Sequence, residues 1–342
     1  MRAIVKEDNN NLYTLKEVEI PIIRKDEVLV KVKIAGICGT DIPIIKGSRK
    51  VSLPLIPGHE FSGDIVNVGE DVKSLKPGDR VTATIVINCG HCFYCKNSME
   101  SLCDNIIETG IHRDGAFAEY LALPERAVFK LPDGMSYEEG ASIDPIASSY
   151  HGIKKAAPSP ESIVIIFGPG PIGLYSVQIL KSMGIKQICV VGKSSCETRL
   201  QTAKLLGASY VVNLDKENLY EIVKDLSNGR MADIVIDASS TTNGFQDRIN
   251  VLRKDGIMIS IGIPHIDASI DISDIVRREI SIKGSMCYTR EDFRECLNLV
   301  QENKIVVQPM LSHRINMYNF DKGLKLIESG EAIKVMVEMN VD

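Results

Sequence analysis

The sequence predicts an α/β chain in which a doubly wound parallel sheet is joined to a second, mostly β domain. Three observations carry that expectation. Residues 162–173 read SIVIIFGPGPIG: an unbroken apolar run from Ile163 to Phe167, as suits a parallel strand buried on both faces, then glycines, then apolar helix-competent sequence to about Met183. Short apolar segments recur beyond it at 187–191, 233–237, 256–261 and 280–282, separated by helix-length stretches. Residues 1–150, by contrast, read as short strands broken by Gly/Pro turns, with no helical period of useful length before about Ser136. A length of 342 residues suggests about two domains.

Bulk properties narrow the function classes. The net charge of −5 disfavours a general nucleic-acid footprint. No apolar stretch reaches the ~18 residues of a membrane span, and the opening MRAIVKEDNNNLYTL lacks a signal-peptide core, so a cytoplasmic location is expected. Nine cysteines are present. Four of them cluster too closely for disulfides, and a cytosolic chain favours metal or free thiols.

In the first 150 residues, 27–34 (EVLVKVKI) alternates with period two and predicts a half-buried strand. Residues 61–68 and 80–86 read similarly, and Pro57-Gly58 and Pro77-Gly78 are turn signals. Cys89, Cys92, Cys95 and Cys103 have the spacing C-x2-C-x2-C-x7-C. Four thiolates on one loop can wrap a tetrahedral Zn²⁺ at about 2.3 Å, and with all positions filled such a zinc is structural. Free thiols and an iron–sulfur cluster are the alternatives. His91 is surplus if all four cysteines bind. Cys38, in Cys38-Gly39-Thr40-Asp41, and His59, in Gly58-His59-Glu60, are each more often packing or surface groups when taken singly. Brought together with carboxylates, they would hold Zn²⁺ with one position open.

Gly168, Gly170 and Gly173 follow the buried strand at G-x-G-x-x-G spacing. In a strand–turn–helix, the first glycine permits the turn, the second admits a pyrophosphate and the third lets helix pack on strand. The helix that starts at Pro171 and Ile172 supplies, from Ile172 onward, N–H groups and the positive dipole end to phosphates. A dinucleotide is therefore the expected cofactor.

Taken together, these motifs resemble the zinc-containing medium-chain dehydrogenase/reductase family, most of all its polyol (sorbitol) and threonine dehydrogenase branch, with galactitol-phosphate dehydrogenases similar. The likeness spans essentially the whole chain. It rests on C-G-T-D at 38–41, G-H-E-F-S-G at 58–63, P-G-D-R-V at 77–81, the four-cysteine lobe, D-G-A-F-A-E-Y at 114–120 and G-P-G-P-I-G at 168–173. The resemblance implies a GroES-like catalytic domain at 1–150 and 285–342, and a Rossmann domain at 151–284. It implies catalytic zinc ligands at Cys38, His59, Glu60 and Asp144, a structural zinc on the four cysteines, and a homodimer or homotetramer. Three positions depart from the pattern. Asp144-Pro145 stands where glutamate is usual. Pro43 occupies the place of a relay histidine, leaving Thr40, water and the cofactor ribose to carry the proton. Pro169 replaces an alanine within the glycine turn, which its fixed φ tolerates.

An acid about twenty residues past the glycines would hold an NAD ribose 2′-OH. After 187–191 the chain instead reads Gly192, Lys193, Ser194, Ser195, with Arg199 further on, a set that admits a 2′-phosphate and favours NADP over NAD. The alternative is an ordinary loop with Glu197 serving NAD. The expected reaction is reversible hydride transfer between a secondary alcohol (polyol, sugar alcohol or sugar derivative) and NAD(P)⁺, giving a ketone. The nicotinamide is expected near 239–244 and 262–264. The basic run Lys46, Arg49 and Lys50 is read as a solvated face rather than a phosphate site, and His112 and Arg113 as either cleft or loop residues. The competing reading is a non-catalytic nucleotide- and zinc-binding protein of the same fold, which would lack the catalytic zinc set.

Overall fold

The computed structural model describes residues 1–8, 13–264 and 266–340. The chain divides into two compact units. Met1–Asp144, Thr289–Glu302 and Val307–Asp342 form the first; Pro145–Tyr288 and Asn303–Val306 form the second.

Only the strands of the two large sheets are numbered. The chain first lays down β1 (Glu27–Gly36), β2 (Glu60–Val68), β3 (Arg80–Ala83), β4 (Tyr120–Pro124) and β5 (Val128–Lys130). It then contributes β6 (Ile163–Phe167), β7 (Gln187–Gly192), β8 (Tyr210–Asn213), β9 (Ala232–Asp237), β10 (Leu252–Ser260) and β11 (Ser281–Gly284) to the second unit. It returns with β12 (Leu311–Asn316) and β13 (Lys334–Glu338). Three helices matter for the sites: α1 (Asp41–Ile45), α2 (Tyr137–Ala156) and α3 (Pro171–Ser182).

In the first unit the sheet order is β12-β13-β1-β2-β3-β5, with β4 also paired to β1. The period-two pattern of β1 places Val28, Val30 and Val32 in the core, where they meet Phe61, Ile65 and Phe117. Each such side chain contributes about 1.5–3 kcal/mol through burial. The strand expected over 80–86 is cut after Ala83. Thr84 N–H donates to Ala127 O at 3.0 Å and its hydroxyl accepts from Val86 N at 3.1 Å. That corner turns the chain out of the sheet, and Val86–Ile87 pairs instead with Ile107–Glu108. The five residues of α1 make barely one turn, too short to leave a helical period in the sequence.

The second unit carries six parallel strands in the order β8-β7-β6-β9-β10-β11. Every residue of β6 and β9 is buried, as continuous apolar runs require when helices cover both faces. The order reverses between β6 and β9, the place where doubly wound sheets open a crevice at their carboxyl ends. The four residues of β11, at the sheet edge, are all exposed. The boundary between the units falls inside α2, at Asp144 and Pro145.

Candidate active site

Gly36 on β1 and Glu60 on β2 are paired across the sheet, so the chain segments leaving these strand ends emerge side by side. Cys38 lies two residues past Gly36, and His59 immediately precedes Glu60. One donor atom from each of Cys38, His59 and Glu60 lies within 4.8 Å of the others. His59 and Glu60 are buried and Cys38 is half-buried.

Asp41, wholly buried at the start of α1, braces the group. Its Oδ2 accepts from Cys38 N–H at 2.8 Å, and its Oδ1 faces His59 Nδ1 at 3.6 Å. Neither of those last two atoms has a hydrogen-bond partner. Burial pulls the His59 pKa down, but the neighbouring Cys38 and Asp41, with Asp144 beyond them, push it well above the ordinary imidazole value. A thiol, a buried imidazole and a buried carboxylate gathered this closely are donor types that suit a divalent cation. A carboxylate behind a ligating histidine is the usual means of orienting the ring. Asp41 stood in the sequence motif, but nothing in the spacing distinguished it from a turn residue.

Asp144 is buried and close enough to act on His59 electrostatically, yet it lies outside the three-donor group. Thr40 is half-buried between Cys38 and α1. Glu60 carries a partner that sequence reasoning did not anticipate, the buried ammonium of Lys334 on β13. Lys334 sits in an apolar strand remote in sequence, so no local signal pointed to it.

The four cysteines of the lobe also converge, all four Sγ atoms lying within 4.8 Å of one another. Cys89–Cys95 and Cys92–Cys103 are each separated by 3.9 Å between sulfurs. Tetrahedral zinc with ~2.3 Å bonds requires sulfurs about 3.8 Å apart, so the set fits zinc. Backbone N–H groups of Cys89, Cys92, Cys95 and Asn105 point at sulfurs from 3.3–3.5 Å. Backbone donation from His91, aided by Cys92, lowers the Cys89 thiol to about 6, whereas burial raises Cys103 to about 12. His91 lies outside the sulfur cluster, its Nδ1 at 3.0 Å from Cys89 O.

In the second unit a cavity of about 580 Å³ opens at the carboxyl ends of β6, β7 and β9. Gly168, at φ +96°, makes the turn out of β6. A Cβ on Gly173 would fall 2.0 Å from Gly168 O, so the start of α3 packs this tightly only with glycine there. A Cβ on Gly170 would meet nothing within 4 Å, leaving that backbone open to a ligand. Pro171 occupies the first turn of α3, and Ile172 O accepts from Ser149 Oγ at 3.0 Å.

Gly168, Gly192, Lys193, Ser195 and Ser239 line the cavity. Ser194 and Arg199 do not, although both flank it in sequence. Ser194 N–H instead donates to Asp215 Oδ2 at 2.7 Å. The 239–244 loop shares this cavity with Gly192 and Lys193, whereas 262–264 contributes nothing to it. The sequence reading missed Arg248. It is buried, ion-paired with Asp237 at 3.1 Å, and bonded to Ser239 Oγ, Thr241 O and Asn243 O. Its guanidinium lies over the rings of Phe167 and Phe245. An arginine inside a helix has no local signature of such a role.

Lys50 is exposed, while Lys46, Arg49, Arg113 and His112 have structural partners. Lys46 pairs with Glu328 at 2.7 Å, and Arg49 lies 3.8 Å from Glu108. Arg113 donates to Glu27 and to Ala122 O. His112 Nδ1 accepts from Glu108 N–H at 3.0 Å.

Two family models match the chain: the alcohol dehydrogenase GroES-like domain over residues 24–133, and the zinc-binding dehydrogenase domain over 171–302. A sorbitol dehydrogenase of Halalkalibacterium halodurans is 33% identical over 340 residues, covering 98% of this chain and 99% of the relative. A D-arabitol-phosphate dehydrogenase of Enterococcus avium is 35% identical over 328 residues, 95% of this chain and 93% of the relative. The solved structure of galactitol-1-phosphate dehydrogenase from Escherichia coli superposes with a TM-score of 0.90 at 29% identity, covering 99% of this chain and 100% of that one. With its GroES-like β unit and doubly wound nucleotide unit, the chain belongs to the zinc-type medium-chain alcohol dehydrogenase family. Within that class it is an NAD(P)-dependent alcohol and polyol dehydrogenase. No helix among the described residues is long and apolar enough to cross a membrane.

Proposed function

We propose that the enzyme oxidises a secondary alcohol of a polyol, sugar alcohol or sugar derivative to the ketone, with Cys38, His59 and Glu60 as catalytic zinc donors and Asp144 supporting them. The convergence of those three donor atoms within 4.8 Å carries this reading. A zinc held there would supply Lewis acidity to lower the pKa of the alcohol oxygen, and a nicotinamide held in the second unit would supply the hydride acceptor. Asp41 keeps the His59 ring oriented. Thr40 takes the hydroxyl proton and passes it to solvent, Pro43 being unable to relay it. The alcohol thus loses a hydride and a proton, and the products are ketone, NAD(P)H and H⁺. The second zinc is structural, held by Cys89, Cys92, Cys95 and Cys103.

NADP is the preferred cofactor in this reading. No acid ends β7, and Gly192 followed by Lys193, Ser194 and Ser195 offers room and positive charge to a 2′-phosphate. Gly168, Gly170, Pro171, Ile172 and Gly173 receive the pyrophosphate, and Arg199 adds positive charge nearby. The enzyme assembles as a homodimer or homotetramer in the cytoplasm, and the exposed edge strand β11 is the surface that invites pairing. The test is reduction of NAD⁺ and NADP⁺ against polyols, phosphorylated polyols, threonine and butanediol, alongside a zinc count. Turnover of a polyol with about two zinc per chain is the expected result. Silence across the panel, with zinc and cofactor both bound, would favour the non-catalytic alternative.

A further inference from the structure

We infer that Asn88 is a positioning residue for the four-cysteine lobe: its side-chain amide is the donor that steadies the Cys95 sulfur, and Arg126 fixes Asn88 in place. This rests on reading Cys89, Cys92, Cys95 and Cys103 as ligands of one metal ion.

The four sulfurs are not served alike. Cys89 Sγ accepts from Cys92 N–H at 3.4 Å and Cys92 Sγ from Cys95 N–H at 3.5 Å. Cys103 Sγ accepts from the N–H groups of Cys89 and Asn105, at 3.3 and 3.4 Å. Among the described residues, no backbone N–H reaches Cys95 Sγ. The local fold explains the difference. Cys89 and Cys92 each accept from the N–H three residues further on. Cys95 instead stands near the end of the short helix Phe93–Lys96. The N–H groups that follow it, those of Lys96, Asn97 and Ser98, are spent on Cys92 O, Tyr94 O and Cys95 O. The N–H donor that does reach Cys95 Sγ is the side-chain amide of Asn88, Nδ2 lying at 3.4 Å.

The charge of a four-thiolate site makes that contact matter. Four thiolates outweigh one divalent cation, so the site keeps an excess of negative charge that surrounding donors must meet. A hydrogen bond to an ionised sulfur favours the form that ligates. Three sulfurs receive such bonds from the backbone, which no substitution removes. Cys95 receives its bond from a side chain, so it is the ligand whose hold depends on one replaceable group. Asn88 is itself held by its backbone. It follows Val86–Ile87, which pairs with Ile107–Glu108 to form the neck of the lobe. Its carbonyl accepts from Arg126 Nε at 3.3 Å, and Arg126 Nη1 donates to Asp26 Oδ2 at 3.3 Å. Arg126 stands in the turn Glu125–Ala127 between β4 and β5, so the large sheet of the first unit anchors the residue that serves Cys95. Asn88 lies just outside the cysteine spacing, and an asparagine there carries no local sign of the role.

Metal release from the lobe tests this without turnover. The parent is the full chain with Cys38→Ser, which removes the thiolate of the other donor group. To it are added Asn88→Asp, Asn88→Ala, Arg126→Met, or the last two together. Each protein is loaded with Co²⁺ to record sulfur-to-metal charge-transfer absorption, and with Zn²⁺ to time its transfer to a chromogenic chelator. Asn88→Asp keeps the shape of the side chain and loses the donor, and Asn88→Ala removes both. Either change is expected to shift the charge-transfer bands and to speed zinc release about 10–100-fold, the scale of groups standing behind metal ligands. Arg126→Met should speed release several-fold alone and add nothing to Asn88→Ala. Alkylation during release, read by mass spectrometry, should mark Cys95 first in the Asn88 variants. Bands and rates unmoved by both Asn88 changes, or first labelling at another cysteine, overturn the role of Asn88. Additive effects of the two alterations overturn that of Arg126. If the parent itself shows no thiolate charge-transfer bands, the four-thiolate reading falls instead.

Discussion

In the second unit, the candidate nucleotide cavity is lined by strand-end and turn residues such as Gly168, Gly192 and Ser239 and by residues of the helices that follow, such as Tyr220 and Arg248, and at Gly170 the backbone is left open to a ligand. In the first unit, the candidate metal site is assembled from side chains at 38, 59, 60 and 334, drawn onto neighbouring strand ends by sheet pairing. The difference has consequences for robustness. Backbone recognition spreads binding over many small contributions, and a side-chain change there alters selectivity first. A buried donor set has no redundancy, because each missing group leaves a charge or a coordination position uncompensated.

The contrast is tested most severely within the first unit, by Cys38→Ser against Cys103→Ser. Cys38→Ser is expected to lower kcat/KM by about 10³-fold or more, ~4 kcal/mol of transition-state stabilisation, with the melting temperature little changed. Cys103→Ser should do the reverse. The lobe would lose its zinc and the midpoint would fall by about 5 °C, while turnover per folded molecule stays within about threefold. Activity assays, calorimetry and zinc analysis on the same samples read both. Loss of turnover in the lobe variant at full folding would erase the distinction between structural and catalytic metal.

The second unit contains one exception to its own rule, the buried pair Arg248 and Asp237. Burial raises the Asp237 pKa, and the Ser239 hydroxyl and Arg248 counter it. Arg248→Met would strand that carboxylate and free the 239–244 loop that the guanidinium holds through Thr241 O and Asn243 O. A loss of about 3 kcal/mol in unfolding free energy is expected, with weaker cofactor binding. If stability falls while the cofactor dissociation constant holds steady, Arg248 serves the fold alone and the unit's recognition is backbone-borne throughout.

What could be read in advance follows the same division. The glycine turn and the four-cysteine lobe each compress their chemistry into 12–15 consecutive residues, so spacing exposed the lobe, and spacing with the flanking apolar strand and helix exposed the turn. β6 was legible because both faces are buried, which leaves a continuous apolar run, and β9 keeps a shorter one, Ile234 to Ile236, between two buried aspartates. Cys38 and His59 were visible only as a pair of motifs, since nothing local says that the Gly36 and Glu60 strand ends are neighbours. Lys334 and Arg248 were invisible. Each is a cation in an otherwise ordinary element, and its role exists only through a partner placed by tertiary structure. The corner at Thr84 was missed for a related reason: its hydrogen bonds to Ala127 and Val86 interrupt a sequence that still alternates like a strand.

The smallest expected effect concerns cofactor choice, where side chains are superimposed on a backbone cradle. Lys193 lines the cavity at the end of β7. Asp215, from the loop after β8, accepts the Ser194 N–H that a 2′-phosphate would want, and that N–H lowers its pKa. The carboxylate therefore competes with the phosphate for one donor while Lys193 attracts it. Lys193→Ala is expected to weaken NADPH binding about tenfold, ~1.4 kcal/mol, and to leave NADH binding unchanged. Asp215→Asn should act oppositely, tightening NADPH several-fold by removing a like charge. Fluorescence titration of both reduced cofactors with each variant gives the ratio directly. Equal shifts for NADH and NADPH would place these residues outside the 2′-phosphate site and return the preference to NAD, whereas opposite shifts would show that two surface charges select between cofactors on a backbone cradle that accepts either.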